Sequence, residues 1–166
     1  MLFRSAVVML FGASLVACSG GSTTPVTHVT SPRPSPSPMQ SPTPAPSGGG
    51  VTIAVSASTN TQAYTIVLET NAGATYTVSG GSPQTSTVPS ADAAQFFSDL
   101  NANAPMSNVQ TVANCAKSAS FGTKTILTYE GSSTGDVSCP PMTATSPALT
   151  LWTDARKIES DVGATQ

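Results

Sequence analysis

Imidazole is the side chain that most readily moves a proton near neutral pH, and this sequence has one, His28, set among prolines, serines and threonines. The segment able to fold therefore has no histidine for a Ser-His-Asp or Cys-His arrangement, nor for the common zinc ligand sets. Ser118 and Ser120 lie near Lys117, but neighbouring residues on an extended segment point to opposite faces, so Lys117 is badly placed to serve Ser118 as a base. Asp92 and Asp99 are seven residues apart on a predicted helix, too far along it to share a water, and Asp154, Glu159 and Asp161 read as a solvated helix face beside Arg156 and Lys157. Thr134-Gly135-Asp136 is too thin for a calcium loop. No G-x-S-x-G elbow, P-loop or G-x-G-x-x-G occurs. These residues point away from an enzyme and name no catalytic group, metal ligand or cofactor.

Cysteine is the other reactive type, and Cys18, Cys115 and Cys139 occupy different settings. A lone positive charge at Arg4 precedes the apolar run Ala6-Val7-Val8-Met9-Leu10-Phe11, which continues to Leu15. That is the outline of a secretory signal, and it is shorter than the roughly 20 apolar residues of a permanent membrane helix. It ends in Leu15-Val16-Ala17-Cys18, which resembles the lipobox of bacterial lipoproteins. The resemblance implies export, a diacylglycerol on the Cys18 sulfur, cleavage between Ala17 and Cys18, and acylation of the new amino terminus, palmitate being a typical chain. Two or three acyl chains hold stably where one holds marginally, at about 0.8 kcal/mol per buried methylene. An ordinary secretory signal with Cys18 incidental is the rival reading. Ser19 after the cysteine, by resemblance to sorted lipoproteins, favours the outer membrane in a cell with two.

From Ser19 to Gly50 the sequence is rich in Ser-Pro and Thr-Pro and ends in Ser-Gly-Gly-Gly. Such a stretch cannot build a core and favours polyproline II, at about 3.1 Å per residue a reach of up to roughly 100 Å. The expected role is a spacer carrying a domain clear of the lipid. A PxxP ligand is the sharper alternative, but its only basic flank is Arg33.

Residues 51–166 leave about 115 positions, one ordinary domain. Charged residues are 8% of the chain, against about 25% in a typical protein. All eight acids fall in this segment, with four of the six bases, Lys117, Lys124, Arg156 and Lys157. With no basic cluster to displace counterions, nucleic-acid binding is excluded. With Cys18 lipidated, Cys115 and Cys139 remain, and in an oxidising compartment an even pair reads as a disulfide; free thiols or a metal pair are the alternative, short of zinc's four ligands.

The elements that must position these groups follow from periodicity. Alternation over 51–57, 62–70 and 75–78 predicts strands, with a turn at Asn71-Ala72-Gly73 where Gly73 suits a positive φ, and a short strand at 85–88 completes a meander. Ser90 is then placed to cap a helix with Ala93, Phe96, Phe97 and Leu100 on its apolar side, stopped near Pro105. A short strand at 109–112, a stronger one at 121–130, an exposed loop at 131–136 and a helix from Ser146-Pro147 follow. The last helix buries Leu151, Ala155, Ile158 and Val162, with Trp152 beside them, and ends at Gly163. The expected fold is α+β: an antiparallel sheet with both helices on one face and the disulfide tying the segment before the late strand to the loop after it.

Cys115-Ala-Lys-Ser-Ala-Ser-Phe-Gly-Thr, a strand, then Gly135-Asp-Val-Ser-Cys139-Pro resembles a pattern of uncharacterised secreted bacterial proteins. It covers about 25 residues and implies a folded domain and a disulfide, with no activity to carry over. The organisation expected is a signal peptide at 1–17, lipidated Cys18 and tether to 50, and one domain at 51–166. The function expected is that of a membrane-anchored envelope lipoprotein presenting a non-catalytic binding or structural module to an envelope protein or polymer. The surface would be the late strand with the 131–138 loop, or an open sheet face rich in Thr and Tyr. An accessory inhibitor or chaperone of an exported protein, or a small enzyme using carboxylates, are the alternatives.

Overall fold

A computed structural model of the chain describes residues 49–118, 122–143 and 145–164. The signal peptide, Cys18, His28, all of the tether before Gly49, Ser120 and Phe121 lie outside the described residues. Six strands and two helices follow in the order β1 (Val51–Val55), β2 (Tyr64–Leu68), β3 (Gly73–Val78), β4 (Gln84–Thr87), α1 (Ser90–Asn103), β5 (Thr125–Tyr129), β6 (Ser132–Ser133) and α2 (Pro147–Asp161). They form one antiparallel sheet in the order β4-β3-β2-β1-β5-β6, with the Cys115–Cys139 disulfide present.

The alternation seen in the sequence is the reason for this sheet. Val51, Ile53 and Val55 are buried in β1, Tyr64, Ile66 and Leu68 in β2, and Thr125, Leu127 and Tyr129 in β5. Register sets Ile53 opposite both Ile66 and Leu127, so these side chains share one face. Both helices cover it. Ala93, Phe96, Phe97 and Leu100 of α1 and Ala148, Leu151, Ala155 and Ile158 of α2 complete the core. The other face carries Thr52, Ala54, Thr65, Val67, Thr75, Thr77, Ile126 and Thr128, none of them charged.

Several expectations are corrected. The N-cap of α1 is Pro89, whose carbonyl accepts from the amides of Asp92 and Ala93; Ser90 is the first helical residue and caps nothing. The strand expected at 109–112 does not form: a 3-10 turn at Met106–Asn108 inserts Met106 into the core, Val109 follows it in, and the Val112 amide donates to the Cys139 carbonyl. The residue with positive φ in the first turn is Ala72 (φ 67°), not Gly73. What Gly73 permits is a close approach: a Cβ there would meet Asn71 Oδ1 at 2.9 Å, the same oxygen that accepts from the Gly73 amide, and would displace that exposed side chain. The late strand starts at Thr125, and the 131–136 loop is less open than expected, holding β6 and a buried Thr134.

α2 ends as its sequence predicts. Gly163 takes φ 77°, its amide donates to the Ser160 carbonyl, and that of Ala164 donates to the Glu159 carbonyl, the paired bonds of a Schellman turn. At its start Ser146 is the N-cap, yet its hydroxyl is buried and makes no hydrogen bond; its carbonyl does the work, accepting from Leu149 and Thr150. Among the described residues no helix is long and apolar enough to cross a membrane.

Candidate functional site

The chemistry-bearing side chains gather where the two disulfide-linked segments meet β5. Cys115 and Cys139, with Cα atoms 5.9 Å apart, join the segment before β5 to the loop after it. That junction brings Lys117 beside Asp136 and Ser138, partners 19 and 21 residues away in sequence. The ammonium donates to Asp136 Oδ2 at 2.6 Å, to the Ser138 hydroxyl and to the Thr123 carbonyl. Asp136 Oδ1 accepts from the Ser138 hydroxyl at 2.6 Å and from the amides of Thr125 and Ser138 at 3.0 and 3.2 Å. Burial pushes the Asp136 carboxyl up. Hydrogen bonds from Lys117, Ser138 and the Thr125 amide, with the Lys117 charge, outweigh it and hold the group below the usual aspartate value.

Chemically this cluster is a lock. A lysine activates a serine by accepting its proton, whereas here Lys117 donates to the Ser138 hydroxyl, whose own proton is directed at Asp136 Oδ1. Lys117 partners Ser138, which the sequence did not single out, and not Ser118. The Gly122 amide donates to the Ser118 carbonyl at 2.7 Å, and a Cβ on Gly122 would collide with that oxygen and with Lys117 Cβ.

Against the lock lies a cleft of about 450 Å³ lined by Lys117, Ser118, Gly122, Thr123, Thr125, Ser138, Trp152 and Arg156. Its far wall is α2, where Trp152 and Arg156 stand one turn apart and so on one side of the helix. Arg156 Nη1 donates to Glu159 Oε2 at 2.7 Å. Glu159, expected on a solvated face, is 1% exposed. Burial raises its pKa, against the Arg156 charge and hydrogen bonds from Tyr64 and Arg156. A second hollow of about 890 Å³ shares Lys117, Ser118 and Gly122 with this cleft and is lined further by Ser56–Thr59, Thr111–Cys115 and Lys124.

The remaining carboxylates are corrected too. Asp154 is part-buried against Asp99 on α1, and its pKa is pushed up to about 6 by burial, then by the hydrogen bond and charge of Asp99. Lys157 bridges Asp92 of α1 at 2.7 Å and Asp161 at 3.0 Å. The helix face read as solvated is thus partly a helix–helix seam. The sheet face read as rich in Thr and Tyr has its threonines, beside Ala54, Val67 and Ile126, but no tyrosine, because Tyr64, Tyr76 and Tyr129 all lie on the covered side. No group of His, Cys, Asp and Glu able to hold a metal ion exists among the described residues.

The arrangement defines an α+β domain with a disulfide-stapled loop and a side cleft. No family model matches the chain, and neither a curated protein nor a solved structure matches it.

Proposed function

We propose that the chain is a membrane-anchored cell-envelope lipoprotein, held by lipid on Cys18, whose domain is a non-catalytic binding module. Support for the anchor is the run Leu15-Val16-Ala17-Cys18 behind a short apolar segment, and support for presentation is the Pro-rich tether that follows. The observation that carries the binding reading is the cleft beside Trp152, each of whose polar walls is fixed from behind, by Lys117–Asp136–Ser138 on one side and by Arg156–Glu159 on the other. A rigid, pre-formed hollow with few convergent polar groups is what a recognition site needs.

A carboxylate enzyme would draw on Asp99 and Asp154, the pair with the displaced proton. Neither borders the cleft or the hollow beside it, which favours the module over the enzyme. An accessory inhibitor or chaperone would use the same surfaces and differs in its partner.

Fractionation of intact envelopes tests the anchor. The wild type is expected with the membranes and Cys18→Ser in the released fraction; co-fractionation of both would sink the lipid reading. Crosslinking of the lipidated protein in those envelopes, with mass spectrometry of the adducts, tests the module. A single stoichiometric partner or polymer adduct is the expected outcome.

A further inference from the structure

We propose that the cleft between α2 and the stapled loop binds a neutral oligosaccharide, stacked on Trp152 and hydrogen-bonded by Arg156 and the facing hydroxyl wall. This rests on the binding-module reading and names its ligand class.

Charge is the first reason. The cleft contains two cations, and each is already matched by a carboxylate: Lys117 by Asp136 at 2.6 Å, Arg156 by Glu159 at 2.7 Å. An anion or cation entering would find no uncompensated opposite charge, so nothing there selects an ionic ligand.

The second reason is the kind of surface offered. Trp152 is the only tryptophan of the chain and is half-buried against the core, so its ring is a fixed plane. A sugar ring has one face of C–H groups, which packs on an aromatic plane, and a rim of hydroxyls that both donate and accept. The rim is met by a guanidinium whose orientation Glu159 sets, and across the cleft by the half-buried Thr123 and by the Ser138 oxygen acting as acceptor, its proton being held by Asp136 Oδ1. Arg156, charge-paired and with N–H groups left over from the bond to Glu159, suits a neutral polyol, since such a ligand brings no charge that must be stripped of water.

A peptide strand is disfavoured by the backbone. β5 borders the cleft at Thr125, whose amide donates to Asp136 Oδ1 and whose carbonyl accepts from the Val137 amide. No open main-chain edge is left there for strand addition. The volume of about 450 Å³ lies at the lower end of ordinary ligand pockets, the scale of a short saccharide.

Trp152 also reports on the site. The full-length lipidated chain, held in a detergent without a sugar headgroup, is titrated with chitotriose and separately with cellotriose while Trp152 emission is followed. Saturable change with at least one, insensitive to salt, is expected. In calorimetry Trp152→Ala should weaken that binding about tenfold, and Trp152→Phe, which keeps the plane, should remain within about threefold. Should Trp152→Ala not fold, Arg156→Gln takes its place, with the same direction expected. Absence of a saturable response to either sugar overturns the proposal, as does a response unchanged in Trp152→Ala or Arg156→Gln. Steep salt dependence also overturns it, by showing an ionic ligand. A stoichiometric protein adduct in envelopes without any sugar response overturns the saccharide alone and leaves the binding module standing.

Discussion

At Ser146 the side chain and the backbone separate cleanly. A serine before a proline at the start of a helix is the usual cap, and removing such a cap costs about 1 kcal/mol. Here the hydroxyl is buried and unbonded. Ser146→Ala should therefore leave stability unchanged or raise it by a few tenths to about 1 kcal/mol, since an unsatisfied polar atom is removed. Urea unfolding of the two proteins decides it, and a loss of about 1 kcal/mol would show that the hydroxyl caps after all. Arg156 is the opposite case. Its partner Glu159 is nearly inaccessible while Arg156 is 45% exposed, so Arg156→Ala strands a buried carboxylate. A loss of about 2 kcal/mol is expected at neutral pH, and Glu159→Gln in the same background should recover most of it. The residues of the lock were hidden from sequence reading for a geometric reason. Lys117 meets Asp136 and Ser138 only after β5 has been inserted between them, and no local spacing marks a contact made through a fold.

Elements were more legible. Strands β1 to β3 show in the sequence because one face is buried and the period of two is unbroken, and α1 and α2 show because Ala93, Phe96, Leu100 and Leu151, Ala155, Ile158 recur at helical spacing. The 109–112 segment misled for the same reason: Val109 is buried, but as an anchor after a 3-10 turn, and one buried valine has no period. The seam between the helices was misread because a charged residue on a helix looks alike whether water or another helix faces it. That seam carries a pH dependence. Asp154 holds its proton up to about pH 6 in the fold, against an ordinary value of 3.8, so the folded state binds a proton the unfolded chain releases between those values. Its contribution is fully present below about pH 4 and is lost as pH rises through 6. Glu159, also raised, acts in the same direction. Asp136 acts oppositely: its lowered pKa stabilises the fold above the ordinary carboxylate range and that is lost as pH falls through its folded value. Asp154→Asn should stabilise the protein at pH 7.5 by about 1 kcal/mol, after allowing for screening at a part-exposed site, and should flatten the decline between about pH 4 and 7. Denaturation midpoints across that range measure it, and an unchanged slope in the variant would remove Asp154 as its source.

At the scale of the whole domain, the disulfide and the Lys117–Asp136 pair span nearly the same loop, yet they act on different states. The Cys115–Cys139 bridge closes a sequence separation of 24 and restricts the unfolded chain, worth about 3 kcal/mol in the chain-entropy picture. The ion pair acts on the folded state, where both side chains are under a fifth exposed and also hold Thr123, Thr125 and Ser138 in place. Removal of the bridge by Cys115→Ser with Cys139→Ser should therefore lower stability by about 3 kcal/mol and leave the folded cleft, and Trp152 emission with it, unchanged. Lys117→Met leaves Asp136 part-buried without its counter-ion, should cost about 2 kcal/mol, and should alter the cleft itself. In the triple variant the two losses should add on stability as far as each belongs to its own end of the folding equilibrium, and any departure measures coupling through the Cys139 Sγ–Asp136 Oδ2 contact of 3.5 Å. Chemical denaturation followed by Trp152 fluorescence tests both parts at once. If the cysteine-free protein instead shows the altered native emission assigned to Lys117→Met, the bridge is shaping the folded loop, and the division between the two cross-links fails.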